Sequence, residues 1–259
     1  MVRVKGNPRC DQFSMVPHKE DGKNPNQQHR GFIKSAFAPE EEFSLILSRK
    51  NNCPLSIDQL FSLTWIALTL GGLGRRSRRG MGSVELVEES SERAIPEVSI
   101  ENLQTHLNRI NIDNSNELHF EIKPSKSPEI VKGQDEVASN FKVPKPNAAY
   151  PFIRKIRLGS TAYATAECRF KDGNDLLYRI SKETHTQKED ATFHNYSNAM
   201  GKAGANDRFA SPLWISVVRE AGVYKPIFTF LQIVYDHNGP KIGSSQNIEF
   251  QEKFASKLS

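Results

Sequence analysis

A segment rich in glycine and arginine, residues 71–83 with the sequence GGLGRRSRRGMGS, carries the clearest chemical signal in this chain. Glycine has no Cβ, so it adopts positive φ and lets the backbone approach a ligand closely. Arginine holds a permanent charge on a planar fork of donors that fits phosphate oxygens. This Gly-Arg segment is therefore predicted to bind a polyanion, and nucleic acid in particular. The predicted contact residues are Gly71, Gly72, Gly74, Arg75, Arg76, Ser77, Arg78, Arg79, Gly80 and Gly82.

Other phosphate-binding loops and plain basic loops are the alternatives for this segment. It lacks the Gly-Lys-Ser/Thr ending of a P-loop. It also follows a predicted helix, whereas a dinucleotide fingerprint follows a strand and opens a helix. A solvated basic loop or a localisation signal would carry the same arginines. Such a signal does not need interleaved glycines, so the pattern favours a shaped binding loop.

A second candidate cluster lies at residues 208–214, with the sequence RFASPLW. Pro212 favours an extended conformation at Ser211, just before a predicted strand. Arg208 and Ser211 are therefore candidates for contact with a sugar or a phosphate. The alternative is an ordinary start of a strand, which the residues taken alone favour.

Catalytic and metal-binding patterns are weak in this sequence. Neither GxSxG nor HExxH occurs, and the cysteines and histidines lack metal-ligand spacing. His185 and His194, near Tyr178 and Tyr196, are candidates for general acid–base chemistry. Surface or packing roles are favoured for both histidines. No catalytic residue, metal or cofactor is predicted.

Charge is distributed unevenly along the 259 residues, whose net charge is +5. Residues 1–83 carry a net charge of +6, residues 84–140 carry −7 and residues 141–259 carry +6. Localised basic surfaces are therefore expected. Three cysteines without CxxC spacing predict neither a disulfide framework nor a zinc site. Without an apolar leader or a run long enough for a bilayer, a cytoplasmic protein without a membrane partner is predicted.

Local patterns predict a mixture of strands and helices. Phe43, Leu45 and Leu47 alternate as in a strand, and Ser56 with Gln59 forms a capping-box pattern. Helices are predicted at residues 57–70, 100–110 and 174–185. Strands are predicted at residues 84–87, 118–122, 153–158, 164–170, 213–218 and 227–234. A loop or tail is predicted at residues 1–30, and a linker after the strand at 118–122, up to about residue 149.

An apolar helix followed by Gly-Gly-x-Gly-x-Arg-Ser-Arg-Arg-Gly-x-Gly-Ser resembles the RAMP superfamily of CRISPR effector subunits. The resemblance is strongest to the first, crRNA-end subunit of type III-B (Cmr) complexes. Later segments follow the order of that subunit's second domain. These segments are YPFIRKI at 150–156, the helix at 176–185, RFASPL at 208–213 and YKPI at 224–227.

This resemblance implies an α+β fold with two ferredoxin-like (RRM-related) domains. The first, incomplete, would comprise residues 1–87 with the Gly-Arg segment. An acidic insertion and linker would follow at 88–149, and the second domain would occupy 150–259. The implied function is noncatalytic binding of the 3′ part of the guide RNA and its target RNA, among other effector subunits, in antiviral defence. Arg75, Arg76, Arg78 and Arg79 would then line an RNA groove, with Arg208 and Ser211 in the corresponding loop of the second domain.

One departure from the family concerns the N-terminal region. Members carry an upstream strand and helix with an Arg-Gly-x-Leu-Arg-type segment, of which residues 29–32 (HRGF) are a faint echo. An incomplete domain would expose sheet edges and an apolar helix face. A separate polypeptide is therefore expected to complete it.

Two other functions remain open from the sequence. One is a RAMP-type endoribonuclease that processes guide precursors with His185 or His194. The position of the Gly-Arg segment in the first third of the chain disfavours it. The other is a protein-interaction module whose arginines meet an acidic partner.

Overall fold

The computed structural model of the chain divides into two compact units, Met1–Phe61 and Ser62–Ser259. The predicted domain limits at residues 87 and 149 differ from this division, and the domain assignment stays a prediction. The structure describes residues 2–6, 10–14, 33–37, 41–74, 78–87, 94–110, 120–123, 129–132, 152–159, 173–189, 199–203, 208–209, 211–220, 223–232 and 245–258.

The described residues form antiparallel sheets and helices, which agrees with the predicted α+β class at this coarse level. The helices are α1 (Ile57–Leu70), α2 (Ile100–Ile110), α3 (Gly173–Glu189) and α4 (Ser245–Leu258). The strands are β1 (Val2–Lys5), β2 (Cys10–Ser14), β3 (Ile33–Phe37), β4 (Ser44–Leu47), β5 (Phe120–Lys123), β6 (Glu129–Lys132), β7 (Phe152–Leu158), β8 (Lys202–Ala203), β9 (Arg208–Phe209), β10 (Leu213–Glu220) and β11 (Val223–Gln232).

Unit 1 contains two antiparallel strand pairs, β1 with β4 and β2 with β3. In β4, Leu45 and Leu47 are half-buried while Ser44 and Ile46 are exposed. This alternation confirms the predicted strand, because successive side chains of a strand point to opposite faces.

The predicted capping box at the start of α1 is confirmed. The Ser56 N–H donates to Gln59 Oε1 at 2.9 Å, and the Gln59 N–H donates to Ser56 Oγ at 3.1 Å. Each residue thus satisfies a backbone donor that a helix N-terminus leaves unpaired.

Unit 2 is built on a five-stranded sheet with the order β10-β11-β7-β6-β5, in which all neighbours are antiparallel. The strand β10 lies at one edge and pairs with β11 from Leu213–Phe230 to Glu220–Val223. An edge strand presents unpaired backbone groups that must be covered or solvated. Residues of the Gly-Arg segment cover part of the edge of β10 through hydrogen bonds.

Apolar residues on both faces of this sheet are buried against helices. On one face, α3 and α4 pack against β10 and β11 around Leu176, Phe228 and Phe254. On the other face, α1 and α2 pack around Trp65, Leu103 and Ile156. Because β7, β10 and β11 are covered on both sides, this part of the sheet leaves loops and edges, rather than an open sheet face, as surfaces for binding.

Strand β7 contains an irregularity that brings cations together. Lys155 stands opposite Phe230, and Ile153 stands opposite Leu231, so Arg154 is an extra residue in the strand. Such a bulge lets consecutive side chains share one face. The cationic groups of Arg154, Lys155 and Arg157 lie 5.6, 5.4 and 5.9 Å from the ring centroid of Phe230.

A single carboxylate on α4 meets all three cations. Glu252 lies 2.6 Å from Arg157 Nη2, 3.1 Å from Lys155 Nζ and 3.9 Å from Arg154 Nη2. The three cationic side chains are 7–12% exposed. Charge-assisted contacts at this depth are stronger than those on an open surface, and they fix α4 on β7.

Between α1 and α2, a buried histidine joins the two helices. His106 Nδ1 lies 2.8 Å from Ser62 Oγ, and its ring lies 4.7 Å from the ring of Trp65, centroid to centroid. Burial lowers the pKa of His106 below its ordinary value, and the nearby charge of Arg109 lowers it further. Both effects disfavour the imidazolium form.

We expect this histidine to destabilise the protein as the pH falls. Below pH 6.5 the unfolded chain takes up a proton at His106, while the folded protein resists protonation until its depressed pKa is reached. Stability contributed by neutral His106 is therefore present above pH 6.5 and lost as the pH falls. The free energy of unfolding of the protein and of His106→Asn should be measured between about pH 7.5 and 5.5, on either side of the ordinary histidine pKa. The free energy of unfolding of His106→Asn is expected to change less with pH than that of the unchanged protein. The same change with pH in both proteins would contradict this prediction.

Most predicted elements in the described range are confirmed. Helices α1 and α2 have the predicted bounds, and α3 extends the predicted helix at residues 174–185 at both ends. Strands β5, β7, β10 and β11 occur where strands were predicted, with shifts at their ends. The predicted strand at 164–170 lies outside the described residues.

Three expectations were wrong, and one helix was not predicted. Residues 1–30, predicted as a loop or tail, contain β1 and β2, because partners later in the chain pair with them. The predicted linker contains β6, which pairs with β7. Residues 84–87 are irregular, since no described strand pairs with them. Helix α4 was not predicted; its buried Ile248, Phe254 and Leu258 follow helical spacing that the sequence carries.

Candidate nucleic-acid interface

Residues 78–83 of the Gly-Arg segment lie along the outer edge of β10. The Gly80 N–H donates to the Ile215 carbonyl at 2.7 Å, and the Ile215 N–H donates to the Arg78 carbonyl at 3.2 Å. Arg79 and Ile215 form a parallel β-bridge. The segment thus occupies backbone groups of β10 that face away from β11.

Side-chain hydroxyls complete this attachment. The Ser83 hydroxyl accepts a hydrogen bond from the Val217 N–H at 2.9 Å and donates to the Gly80 carbonyl at 2.8 Å. The Ser216 hydroxyl donates to the Gly71 carbonyl at 2.6 Å, at the C-terminal end of α1. Backbone bonds and hydroxyls together fix both ends of the segment against one strand.

A backbone hydrogen bond joins residues near the two ends of the segment. The Leu73 N–H donates to the Gly82 carbonyl at 2.8 Å. Gly82 has φ of +70° and Gly80 has φ of +79°. A Cβ at Gly82 would lie 2.0 Å from the Leu73 carbonyl oxygen, and a Cβ at Gly80 would lie 2.8 Å from Leu177 Cδ2. Positive φ therefore favours glycine at both positions, and the nearby backbone oxygen also requires it at Gly82.

Arg79 points into the protein. Its guanidinium donates to the Met200 carbonyl at 3.0 Å and to Ser211 Oγ at 3.4 Å. Burial lowers the pKa of Arg79 to about 10, and the neighbouring charge of Arg78 adds to the effect. The side chain remains protonated at neutral pH, since about three pH units separate that pKa from pH 7.

Arg78 faces an aromatic ring instead. Its guanidinium carbon lies 5.1 Å from the ring centroid of Trp214, within range of a cation–π interaction. Both residues are half-buried, so part of each remains accessible. A guanidinium beside an indole presents charge and an aromatic surface at the same place.

The structure brings two of the sequence-predicted clusters together. Ser211, predicted in a loop separate from the Gly-Arg segment, is buried and contacts Arg79. Its hydroxyl also donates to the Leu213 carbonyl and accepts from the Leu213 N–H, at 2.7 and 3.2 Å. Arg208 lies in β9, and its side chain is outside the described set. This arrangement joins Arg79 to a residue 132 positions later in the sequence.

The remaining predicted residues fall into three groups. Gly71 is buried at the end of α1, Gly72 is half-buried and Gly74 is exposed. Arg75, Arg76 and Ser77 lie outside the described residues, as does His194. His185 lies in α3, without a described side chain.

Sequence reasoning missed the importance of Trp214, Ile215 and Met200 for this site. Trp214 was part of the second candidate motif, but nothing local assigned it a partner. Ile215 and Met200 contribute backbone groups, which no side-chain pattern reveals.

Comparisons with protein-family models, with curated proteins and with solved structures found no match to this chain. Among the residues that the structure describes, no three His, Cys, Asp or Glu side chains are grouped so that they could hold a metal ion. No helix in the described part of the chain has both the length and the apolar character needed to cross a membrane.

Proposed function

We propose that this chain is a noncatalytic RNA-binding subunit of a type III CRISPR effector ribonucleoprotein, with the Gly-Arg segment as its RNA contact. The observation that carries the proposal is the attachment of the segment to β10 with Arg78 over Trp214. Attachment of its described ends to β10 reduces the entropy that a cationic loop loses on binding. Its arginines suit phosphate oxygens, and an aromatic or guanidinium plane suits an unpaired base.

The proposed fold of the C-terminal region is ferredoxin-like. Apart from the two-residue strands β8 and β9, which come between α3 and β10 and form a separate pair, the order β7, α3, β10, β11, α4 follows the first five elements of the βαββαβ motif. Strand β11 lies between β7 and β10. The position beside β7 is occupied by β6, which precedes β7 in the chain. This agreement in topology supports the proposal, and the position of β6 is a difference from the simple motif.

The proposed ligand is the 3′ part of a guide RNA with its target RNA. Side chains do not enter the deep major groove of an A-form duplex, so such a ligand is recognised through its backbone. Phosphate contacts fix the position of a protein on the nucleic acid, and base pairing supplies sequence. A basic segment of this kind needs no catalytic residue for that role.

Proposed partners include other effector subunits and a separate polypeptide that completes the N-terminal domain. Ile46 and Ile57 in unit 1 are 46% and 43% exposed. Apolar side chains at this exposure are compatible with a covering partner.

The test is RNA binding by a variant with Arg75, Arg76 and Arg78 changed to Ala. We expect weaker binding and a smaller dependence on salt, with the logarithmic slope reduced by about 0.7–0.9 for each phosphate that the protein no longer neutralises. Fluorescence anisotropy with a guide–target duplex, at several salt concentrations, measures both quantities. Arg219→Ala, an exposed arginine on β10, is the matched control.

Three outcomes would count against the proposal. If RNA binding by the triple variant keeps the same dependence on salt, the Gly-Arg segment does not contact RNA phosphates. Equal displacement by heparin and RNA would favour an acidic protein partner. Metal-independent cleavage of repeat RNA, lost when His185 or His194 is changed, would favour an endoribonuclease.

A further inference from the structure

We propose that Arg79 is a positioning residue: it anchors the Gly-Arg segment to the edge of β10 from inside the protein, and leaves contact with the ligand to the other arginines. The inference deepens the proposed function, and only its RNA measurement rests on that function. Four neighbouring arginines that look equivalent in the sequence would then have two different tasks.

The first argument is the direction of the Arg79 side chain. Its two described acceptors, the Met200 carbonyl and Ser211 Oγ, belong to buried residues, at 3% and 8% exposure. Arg79 as a whole is half-buried, and the burial of its guanidinium against these groups is also why its pKa is lowered. A phosphate that drew the guanidinium out of this position would break both hydrogen bonds, and the Met200 carbonyl would lose this donor.

The second argument is the place of Arg79 in the attachment. The residue lies between the two backbone bonds that join Arg78 and Gly80 to Ile215. One residue later, Gly80 is packed so closely that an added Cβ would meet Leu177 at 2.8 Å and Val217 at 3.1 Å. An anchor at Arg79 therefore acts beside a residue that is tightly packed against both α3 and β10.

The third argument is the role of Ser211 as a shared partner. Its hydroxyl bonds with the backbone of Leu213, at the start of β10, and also accepts from Arg79. Hydroxyl and segment together engage outward backbone groups at Leu213, Ile215 and Val217. The edge of β10 from Leu213 to Val217 is thus covered by this chain itself, and Arg79 links Ser211 to the Gly-Arg segment.

Hydrogen exchange of the Gly80 and Ile215 amides tests the anchor without RNA. Arg79→Lys keeps the charge but loses the two-pronged donor. We expect exchange of both amides about 10- to 100-fold faster in Arg79→Lys, the factor expected when hydrogen bonds to a charged group are weakened. Arg78→Ala should leave both rates near those of the unchanged protein. Wild-type rates in Arg79→Lys would overturn the proposal.

A double-mutant cycle with Arg79→Met and Ser211→Ala checks the partner. The two substitutions should be coupled, so the double variant loses less stability than the two single losses added together. Strict additivity would contradict the anchor.

RNA binding separates this inference from the proposed function. Arg79→Lys should bind RNA more weakly with an unchanged salt slope, whereas Arg78→Ala should reduce the slope by about 0.7–0.9. If the unchanged protein does not bind RNA, the proposed function fails while the exchange result stands. If Arg79→Lys binds RNA as well as the unchanged protein and its Gly80 and Ile215 amides exchange at unchanged rates, the anchoring role of Arg79 is wrong and the proposed function is unaffected.

Discussion

Changing Gly82 to Ala is expected to lower the free energy of unfolding by about 2–4 kcal/mol, a large effect for one added methyl group. Gly82 has φ of +70°, where an alanine is strained. The new Cβ would also lie 2.0 Å from the Leu73 carbonyl oxygen. This is a backbone atom, which cannot rotate away from the clash as a side chain can. Relief of the clash requires the Leu73–Gly82 hydrogen bond to break.

Gly74 offers a matched control within the same segment. Its φ is +84°, but a Cβ there would meet nothing within 4 Å. Gly74→Ala should therefore show only the backbone cost, about 1–2 kcal/mol. Urea unfolding of the two variants measures the difference. Equal losses would mean that the segment is not closed at Leu73 and Gly82 as described.

Changing Glu252 to Gln is expected to cost about 2–3 kcal/mol of unfolding free energy, because the charge that holds three cations on β7 is lost. The amide keeps the shape but only one of the two acceptor oxygens, so the loss reports the charge together with one acceptor. The expected cost is below that of a fully buried pair because the Glu252 side chain is 24% exposed. Thermal or urea unfolding measures it.

Glu249→Gln is the control for this prediction. Glu249 lies on the same helix and is exposed, so its loss is expected to change stability by no more than about 0.5 kcal/mol. Similar effects of the two substitutions would show that the ion pairs with Arg157 and Lys155 contribute little beyond surface charge.

The glycine and arginine pattern illustrates how far the sequence predicts the site. The pattern identified a shaped, cationic loop after α1, and the structure shows that shape at Gly80 and Gly82. It treated Arg78 and Arg79 alike, whereas one lies over Trp214 and the other points inward to Met200 and Ser211. Side-chain direction depended on the pairing of the segment with a strand that begins far later in the chain, at Leu213. The strand was predicted from local pattern, but its place beside the segment was not.

The secondary structure shows the same division. Helix α1 was predictable to its ends because a capping box and an apolar run are local signals. The short strands β1 and β2 were missed because segments of 4 and 5 residues acquire strand structure only from a partner. Their partners, β4 and β3, are separated from them by long stretches of sequence. The energy of strand pairing comes from contacts with residues that are distant in sequence, so the sequence of a short polar segment gives little indication that it will form a strand.

By itself, the sequence determined the helix cap at Ser56, the apolar run of α1 and the supply of glycine and arginine after it. These depend on backbone propensities and on contacts within a few residues. The tertiary structure alone decided that the segment lies along β10, that Arg79 is turned inward and that Arg154 joins Lys155 on one face of β7. Each of these follows from sheet register and close packing, which depend on atoms brought together only when the chain has folded.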